Sequence, residues 1–199
     1  MLAVPPARLI VSAAAPGPAQ MALDEALLVR CAVAPEGSAS TLRLYQFAPP
    51  CLSLGYFQPL ADTDVDACAR AGIDLVRRPT GGRAVLHECD LTYAMVAPVD
   101  GQIFTGGVRR SAERIGAALQ AAVRQLGAAD AVTAPGRVSA PRRGRDADCF
   151  AVAGAHEPTL AGRKLAGSAQ VRRAGRPPAR NPASARRRWR PPSLSRAGG

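Results

Sequence analysis

A single lysine lies in a glycine-bounded stretch of this sequence and is a candidate catalytic residue. Of the 26 lysine and arginine residues in the 199-residue chain, Lys164, within GRKLAGSAQ, is the one lysine. A lysine ammonium is a compact charge with three rotatable donors, whereas the arginine guanidinium is a planar fork. An ammonium among small residues can stabilise a developing oxyanion or lower the pKa of a nearby thiol. We therefore interpret Lys164 as a functional residue, against the alternative of a solvated charge at the end of a strand.

Cys149 lies upstream of Lys164, in the segment DCFAVAGAHEPTLAGRK, and is a candidate nucleophile. The segments on either side of Ala161-Gly162 predict a β-hairpin, which would bring the lysine back towards the first strand. A thiol beside an ammonium ionises more readily and becomes a better nucleophile. A buried structural cysteine is the alternative. His156 lies between the two residues, although nothing in the spacing requires it to act as a base.

A second glycine-containing stretch, RRPTGGRAVLH at 77–87, is a candidate binding loop. Two adjacent glycines let the backbone approach a ligand closely and adopt positive φ angles. Three arginines near the glycines offer donors that suit phosphate or carboxylate: Arg77, Arg78 and Arg83. An ordinary Gly-Gly turn explains the stretch equally well. His87 by itself is more often a packed or hydrogen-bonded side chain than a catalyst.

Hydrophobic periodicity predicts helices and strands that can hold these residues. Helices are expected over 19–34, 62–72 and 107–127, and strands over 41–47, 51–57, 73–79 and 91–98. Strand 51–57 is the expected neighbour of strand 41–47. In helix 107–127 four apolar residues repeat at helical spacing: Ile115, Leu119, Val123 and Leu126. Because the elements do not follow strict βαβ spacing, the pattern favours an α+β fold with a mixed sheet.

The net charge of +11 is concentrated at the end of the chain. Residues 174–199 contain seven arginines and no acidic residue, and without them 19 basic residues face 15 acidic ones, a net of +4. An arginine-rich tail that binds nucleic acid is therefore one hypothesis. Blocks of like charge are more often solvated tails, however, and this argues against nucleic acid as a partner.

Composition predicts one domain over 1–173 and an Arg/Pro-rich disordered tail over 174–199. Hydrophobic residues make up 47% of the chain, enough for a globular core, while the tail has almost no aliphatic residues. A tail of this composition is also typical of a reading-frame shift in GC-rich DNA. Five cysteines without a CxxC pair favour a reducing compartment, so we expect a cytoplasmic protein without a membrane segment, and most cysteines to be buried.

Five motifs in this order resemble the lipoate–protein ligase A family of the biotin/lipoyl ligase superfamily. They are MALDEALL, TLRLYQFAPPCLSLGYFQ, RRPTGGRAVLH, LTYAMV and GRKLAGSAQVRR, and together they extend from about Met21 to Arg173. The resemblance implies an α+β fold with a mixed, mainly antiparallel sheet flanked by helices. It also implies an enzyme that attaches octanoyl or lipoyl groups to a lysine of lipoyl domains or of the glycine-cleavage H protein.

The resemblance assigns roles to particular residues. Lys164 would face the reacting carbonyl, and the Gly81-Gly82 loop would line the acyl pocket with Arg78, with His87 near it. The residues that the resemblance places at the substrate are Arg77, Arg78, Thr80, Gly81, Gly82, Arg83, Ala84, His87, Gly167, Ser168 and Ala169. No protein ligand to a metal is implied.

Two branches of the family differ in chemistry. One branch uses no cofactor and moves octanoate from acyl carrier protein onto a cysteine and then onto the acceptor lysine. The CF pair upstream of the lysine motif resembles that branch and identifies Cys149 as its thioester cysteine, so we favour the octanoyltransferase. The other branch consists of ligases that form an acyl-adenylate from ATP and Mg²⁺.

The sequence departs from the family pattern after Arg173. Family members continue into a further strand with a QHGS-like segment, whereas this chain continues with AGRPPARNPASARRRW. We expect the C-terminal part of the family domain to be lost or frame-shifted here. The loss of a strand would leave an exposed sheet edge and could inactivate the protein.

Overall fold

The computed structural model describes residues 7–33, 39–99, 104, 106–134 and 153–173. The described strands are β1 (Ala7–Val11), β2 (Ser40–Tyr45), β3 (Cys51–Leu54), β4 (Asp74–Arg77), β5 (Val85–His87), β6 (Thr92–Val96), β7 (Val132–Thr133), β8 (Pro158–Leu160) and β9 (Arg163–Lys164). The helices are α1 (Gly17–Val33), α2 (Val65–Arg70) and α3 (Gly107–Gln125), with a short 3₁₀ turn at Leu60–Asp62. The predicted tail lies outside these residues.

The described strands form three small sheets, in the orders β1-β2-β6, β4-β3-β5 and β7-β8-β9. Two strand pairs, β1 with β2 and β3 with β4, are parallel, and the other four are antiparallel. The predicted α+β class with mixed, mainly antiparallel pairing is therefore confirmed. Strand β1 is an element that the sequence patterns did not predict.

The expected pairing of 41–47 with 51–57 is wrong. Strand β2 has β1 on one edge and β6 on the other, so neither edge is available to β3. Strand β3 is equally occupied, because β4 and β5 flank it. The Pro49-Pro50 break thus separates two sheets instead of forming a hairpin turn.

The core lies on one face of β2, against helix α1. Alternation along the strand directs Tyr45 to this face, where Tyr45 and Phe47, two residues beyond the strand, meet Cys51, Met21, Val76 and Ala94. The same alternation buries a charged residue, Arg43, which is fully enclosed. Its Nη1 lies 2.6 Å from Asp24 Oδ1 on α1, and Asp24 Oδ2 accepts a 2.7 Å hydrogen bond from the Tyr45 hydroxyl. The acid of the MALDEALL motif therefore neutralises a buried cation.

The predicted helices form, with local differences. Asp64 caps α2 through its side chain, which accepts a hydrogen bond from Ala67 N, and Gly72 follows the helix at φ 67°. Helix α3 is amphipathic as expected, except that Leu126 is 86% exposed because it lies beyond the last helical turn. Among the residues that the structure describes, no helix is long and apolar enough to cross a membrane.

The expectation that most cysteines are buried is wrong for the part of the chain that the structure describes. Cys51, the first residue of β3, is buried against the start of α1, whereas Cys31 and Cys68 are partly exposed and Cys89 is exposed. Gly17 explains the tight packing around Cys51, since a Cβ at that position would lie 2.5 Å from the thiol sulfur. Burial raises the pKa of the Cys51 thiol to about 12, and the carboxylates of Asp74 and Asp90 add to the shift.

Candidate active site

The predicted hairpin before and after Ala161-Gly162 is confirmed. Strands β8 and β9 pair antiparallel, with Leu160 opposite Arg163 and Thr159 opposite Lys164. Ala161 and Gly162 have φ angles of 49° and 76°, as a two-residue hairpin turn with two left-handed residues requires. This turn fixes the register that places Lys164 beside the start of β8.

Lys164 is held by a buried carboxylate. Its side chain is only 3% exposed, and its Nζ lies 2.8 Å from Glu157 Oε2. Burying an unpaired ammonium is costly, so the carboxylate is what allows a lysine to occupy this interior position. The alternative of a solvated strand-end charge is therefore wrong.

Glu157 joins three parts of the hairpin region. Its Oε2 accepts a short hydrogen bond from Gly154 N as well as the contact from Lys164, and its Oε1 accepts a 3.1 Å bond from Ser168 N. Gly167, one of the small residues that follow Lys164, lies against the lysine side chain. A Cβ there would lie 3.0 Å from Lys164 Cε and 3.1 Å from Nζ. The lysine therefore packs directly over a residue without a side chain.

Strand β6 connects this cluster to the rest of the fold. The Tyr93 hydroxyl shares a short hydrogen bond with the Ser168 hydroxyl. Burial raises the pKa of Tyr93 most strongly; the bond to Ser168 opposes this rise, and the nearby Glu157 carboxylate adds to it. Tyr93, Ser168, Glu157 and Lys164 therefore form one group, hereafter the lysine cluster.

The Gly81-Gly82 loop is shaped by Arg78. The Nη2 atom of Arg78 donates to the carbonyl oxygens of Gly81, at 2.9 Å, and Arg83, at 2.6 Å, and its Nη1 donates to Ser53 O at 2.7 Å. Gly82 has a φ of 98°, which favours glycine, whereas a Cβ on Gly81 would meet no atom within 4 Å in the part of the chain that the structure describes, its chain neighbours apart. The loop is thus clamped from one side and open at Gly81.

Arg77 holds the neighbouring loop. Its Nη1 donates to three backbone carbonyls, those of Gly55 at 2.7 Å, Tyr56 at 3.1 Å and Gln58 at 2.7 Å. A Cβ on Gly55 would lie 1.9 Å from the Gly82 carbonyl oxygen, so the two loops touch backbone to backbone. The guanidinium groups of Arg77 and Arg78 therefore bind loop carbonyls in this structure.

His87 is packed and hydrogen-bonded through both ring nitrogens. Its ring stacks on Phe47 with centroids 4.4 Å apart, its Nε2 lies 2.9 Å from Ser53 Oγ, and its Nδ1 lies 2.8 Å from Asp90 Oδ2. Burial by itself raises the pKa of the Asp90 carboxyl. The hydrogen bond and charge of His87, together with the hydrogen bond from Thr92, outweigh burial, so the net shift of the pKa is downward. His87 is therefore a satisfied side chain beneath the glycine loop.

The other predicted site residues have simpler surroundings. Thr80 accepts a 2.9 Å hydrogen bond from Tyr56 N through its carbonyl, Ala84 is buried, and Ala169 is exposed beside Ser168. His156 contacts helix α3, with its Nε2 3.7 Å from Glu113 Oε1. The proposed nucleophile, Cys149, lies outside the described residues.

Sequence reasoning missed four residues that organise the site: Glu157, Tyr93, Ser53 and Asp90. Glu157 had a detectable signal, because it is the one acid between Cys149 and the lone lysine. The remaining three had none, since their partners lie on other strands or loops.

Comparisons with known proteins agree with the class of fold and site described above. The chain resembles the crystal structure of a lipoate–protein ligase A bound with ATP, with a TM-score of 0.64 and 25% identity, over 85% of this chain and 62% of that one. It also resembles a bi-partite lipoate protein ligase from Thermoplasma acidophilum, with a TM-score of 0.57 and 25% identity, over 86% and 58% of the two chains. The lysine cluster and the glycine loop therefore lie in a fold of the lipoate ligase type.

The family follows from the sequence match. The model of the lipoyl protein ligase A/B catalytic domain matches residues 16–177, and the chain belongs to this family. Octanoyltransferase LipM of Moorella thermoacetica is 45% identical over 157 residues, 78% of this chain and 56% of the relative. LipM of Symbiobacterium thermophilum is 41% identical over 176 residues, 84% of this chain and 61% of the relative. The chain thus spans less than two thirds of the length of these relatives.

Proposed function

We propose that this chain is an acyltransferase of protein lipoylation that carries an octanoyl group on Cys149 and transfers it to a lysine of an acceptor protein. The observation that carries the proposal is the enclosure of Lys164 by Glu157 and Gly167, which gives one ammonium a defined position in the family's lysine motif. Curated relatives at 36–45% identity are octanoyltransferases, and this favours octanoyl as the acyl group.

The reaction has two acyl-transfer steps. In the first, the Cys149 thiolate attacks the carbonyl carbon of an octanoyl thioester on acyl carrier protein, and the carrier thiolate leaves and takes up a proton. In the second, the amine of the acceptor lysine attacks the new thioester, an amide forms, and the Cys149 thiol is released. Both steps pass through an oxyanion, and a fixed ammonium such as Lys164 stabilises that charge. This sequence requires no metal or nucleotide.

The acceptor is a lipoyl domain or the glycine-cleavage H protein, and the acyl chain lies along the Gly81-Gly82 loop. Support for this placement comes from the space at Gly81, whose Cβ position meets no atom of the described residues within 4 Å, its chain neighbours apart. Arg78 and Arg77 contribute by holding the loop carbonyls, and Thr80, Arg83, Ala84 and His87 shape the same loop. Gly167, Ser168 and Ala169 belong to the lysine side of the pocket.

Mass spectrometry of the intact protein after incubation with octanoyl-acyl carrier protein tests the proposal. We expect one octanoyl group on Cys149 of the wild type and none on Cys149→Ser. The control is Cys89→Ser, which removes an exposed cysteine outside the lysine cluster. An adduct that persists in Cys149→Ser would contradict the assignment.

The second candidate function is an ATP-dependent lipoate–protein ligase, which the similarity to an ATP-bound ligase structure favours. This activity would consume ATP with Mg²⁺ and form a lipoyl-adenylate. It predicts lipoate-dependent release of pyrophosphate that is unchanged by Cys149→Ser. Pyrophosphate release without any cysteine adduct would establish the ligase in place of the transferase.

A further inference from the structure

Ser53, His87 and Asp90 form a hydrogen-bonded chain with the connectivity of a nucleophilic triad. Ser53 Oγ lies 2.9 Å from His87 Nε2, and His87 Nδ1 lies 2.8 Å from Asp90 Oδ2. On an accessible surface this arrangement would activate the serine hydroxyl for attack. The surroundings of the serine decide whether it can do so.

The Ser53 hydroxyl is enclosed in the fold. The residue is 1% exposed, and its Oγ also accepts a 3.2 Å hydrogen bond from Arg78 Nη1. The imidazole of His87 is covered by the ring of Phe47. An acyl carbonyl cannot reach a hydroxyl in this position, so the hydrogen-bonded chain of Ser53, His87 and Asp90 has another role.

The direction of the hydrogen bonds leads to the glycine loop. In the neutral imidazole, His87 Nδ1 carries the hydrogen that the Asp90 carboxylate accepts, and Nε2 accepts from the Ser53 hydroxyl, which also lies 3.5 Å from Val85 O. The serine oxygen in turn accepts from Arg78, whose second nitrogen donates to the carbonyls of Gly81 and Arg83. Along the series Arg78, Ser53, His87, each group therefore donates towards Asp90. The bond to Ser53 orients the Arg78 guanidinium, which holds the loop carbonyls.

The hydrogen-bonded chain of Ser53, His87 and Asp90 lies on the opposite side of β6 from the lysine cluster. Thr92 Oγ1 donates to Asp90 Oδ2 at 3.0 Å, whereas the next residue, Tyr93, contacts Ser168. Consecutive side chains of a strand leave opposite faces, so the histidine group supports the loop from the core side. This placement separates it from the reacting atoms.

We propose that Asp90, His87 and Ser53 are positioning residues that act through Arg78 to hold the Gly81–Arg83 backbone in the shape that accepts the acyl chain. The inference rests on the proposed function, because it takes this loop as the wall of the acyl pocket. The part of the proposal that concerns structure, namely that Asp90, His87 and Ser53 hold the loop through Arg78, does not depend on any substrate.

The substrate-free test measures tryptic cleavage of the native 199-residue chain at the Arg83–Ala84 bond. Arg78 holds the Arg83 carbonyl and Ala84 is buried, so cleavage requires the loop to open. We expect Ser53→Ala to raise the rate of this cleavage about tenfold, the size of effect that loss of a hydrogen bond to a charged group produces. Asp90→Ala, at a partly exposed position farther from the loop along the hydrogen-bonded chain, should raise the rate by a smaller factor.

Ser111→Ala is the matched control. Ser111 is also a fully buried serine whose hydroxyl accepts from an arginine, with 2.8 Å between Arg172 Nη2 and Ser111 Oγ, but it lies on α3. We expect this variant to lose a similar amount of stability and to leave cleavage at Arg83 unchanged. Equal cleavage rates in the wild type, Ser53→Ala and Asp90→Ala would overturn the proposal.

The second measurement separates positioning from general damage. We expect Ser53→Ala to raise the octanoyl-carrier concentration for half-maximal acylation of Cys149 about tenfold, while alkylation of Cys149 by iodoacetamide keeps its wild-type rate. Faster cleavage with unchanged acylation would contradict the acyl-pocket role. If the wild type forms no adduct, the proposed function fails, and the cleavage rates alone then decide whether the chain controls the loop.

Discussion

Lys164 Nζ lies 2.8 Å from Glu157 Oε2, and both side chains are enclosed by the hairpin that contains them. The carboxylate also binds the amides of Gly154 and Ser168, so the hairpin is organised around this ion pair. The pair fixes the position of the one ammonium that the sequence singles out.

Glu157→Gln is expected to lower the free energy of unfolding by about 3–5 kcal/mol, because it removes the carboxylate that pairs with the buried Lys164 ammonium. Urea denaturation measures the change. The double variant Glu157→Gln with Lys164→Met should recover part of the loss, since no unpaired charge remains. The control is Glu113→Gln, which removes a half-exposed carboxylate 3.3 Å from Arg109 and should cost less than about 1 kcal/mol.

Lys164→Arg should slow acylation of Cys149 by about 10²–10³-fold, the usual effect of losing one stabilising donor at an oxyanion. The guanidinium keeps the charge but is too large for the space over Gly167, where a single added Cβ would already lie within 3.1 Å of the ammonium nitrogen. Single-turnover mass spectrometry gives the rate. A wild-type rate in this variant would show that a compact ammonium is unnecessary.

Gly81→Ala should leave the fold intact and weaken substrate binding. The added methyl group meets no atom within 4 Å among the described residues beyond its chain neighbours, so the change in stability is expected to stay within about 0.5 kcal/mol. The half-saturating concentration of the octanoyl donor should rise about tenfold or more, because the methyl group occupies space meant for the acyl chain.

Gly55→Ala is the comparison for this variant. Its Cβ would overlap the Gly82 carbonyl, 1.9 Å away, and force the backbone to move. Thermal denaturation should therefore show a marked loss of stability for Gly55→Ala but not for Gly81→Ala. Unchanged binding of the octanoyl donor by Gly81→Ala would show that the acyl chain does not lie against this loop.

The cysteines should differ sharply in reactivity. Iodoacetamide at pH 8 should modify the exposed Cys89 in the native protein and leave the buried Cys51 unmodified, because burial raises the pKa of Cys51 to about 12. Peptide mapping measures both. If the Lys164 ammonium lies beside Cys149, that thiol should react faster than Cys89 at pH 6.

The same shift predicts weaker folding at high pH. The pKa of the Cys51 thiol rises from 9.0 to about 12 on folding, so between these values the folded state keeps a proton that the unfolded state releases. The contribution of the Cys51 thiol to the free energy of unfolding is therefore fully present below about pH 9 and is lost as the pH rises towards 12. Cys51→Ala should reduce this slope in urea denaturation series at alkaline pH, and an unchanged slope would exclude Cys51 as its source.

Asp24→Asn should destabilise the fold by about 3–5 kcal/mol without direct effect on the site. Arg43 is fully buried and has Asp24 as its charge partner at 2.6 Å, so the substitution leaves an uncompensated cation in the core. Asp66→Asn, at an exposed position on α2, is the control and should change stability by less than about 0.5 kcal/mol. Equal denaturation midpoints for the two variants would contradict this account of the core.

Local patterns were enough to predict the elements that build the site. The hairpin turn at Ala161-Gly162, the stop of α2 at Gly72 and the amphipathic helix α3 depend on backbone preferences and spacing within a few residues. The special position of Lys164 was also readable, because it is a matter of residue type. Such features are decided by short-range sterics and hydrogen bonding, which a sequence displays directly.

The tertiary structure decided which partners these residues have. Strand β3 joins β4 and β5 instead of β2 because both edges of β2 are already occupied. Arg43 is buried because Asp24, distant in the chain, meets it in space, and His87 is packed because Ser53 and Phe47 reach it from distant parts of the chain. Strand pairing and charge compensation depend on contacts between residues far apart in the chain, and no local pattern records them.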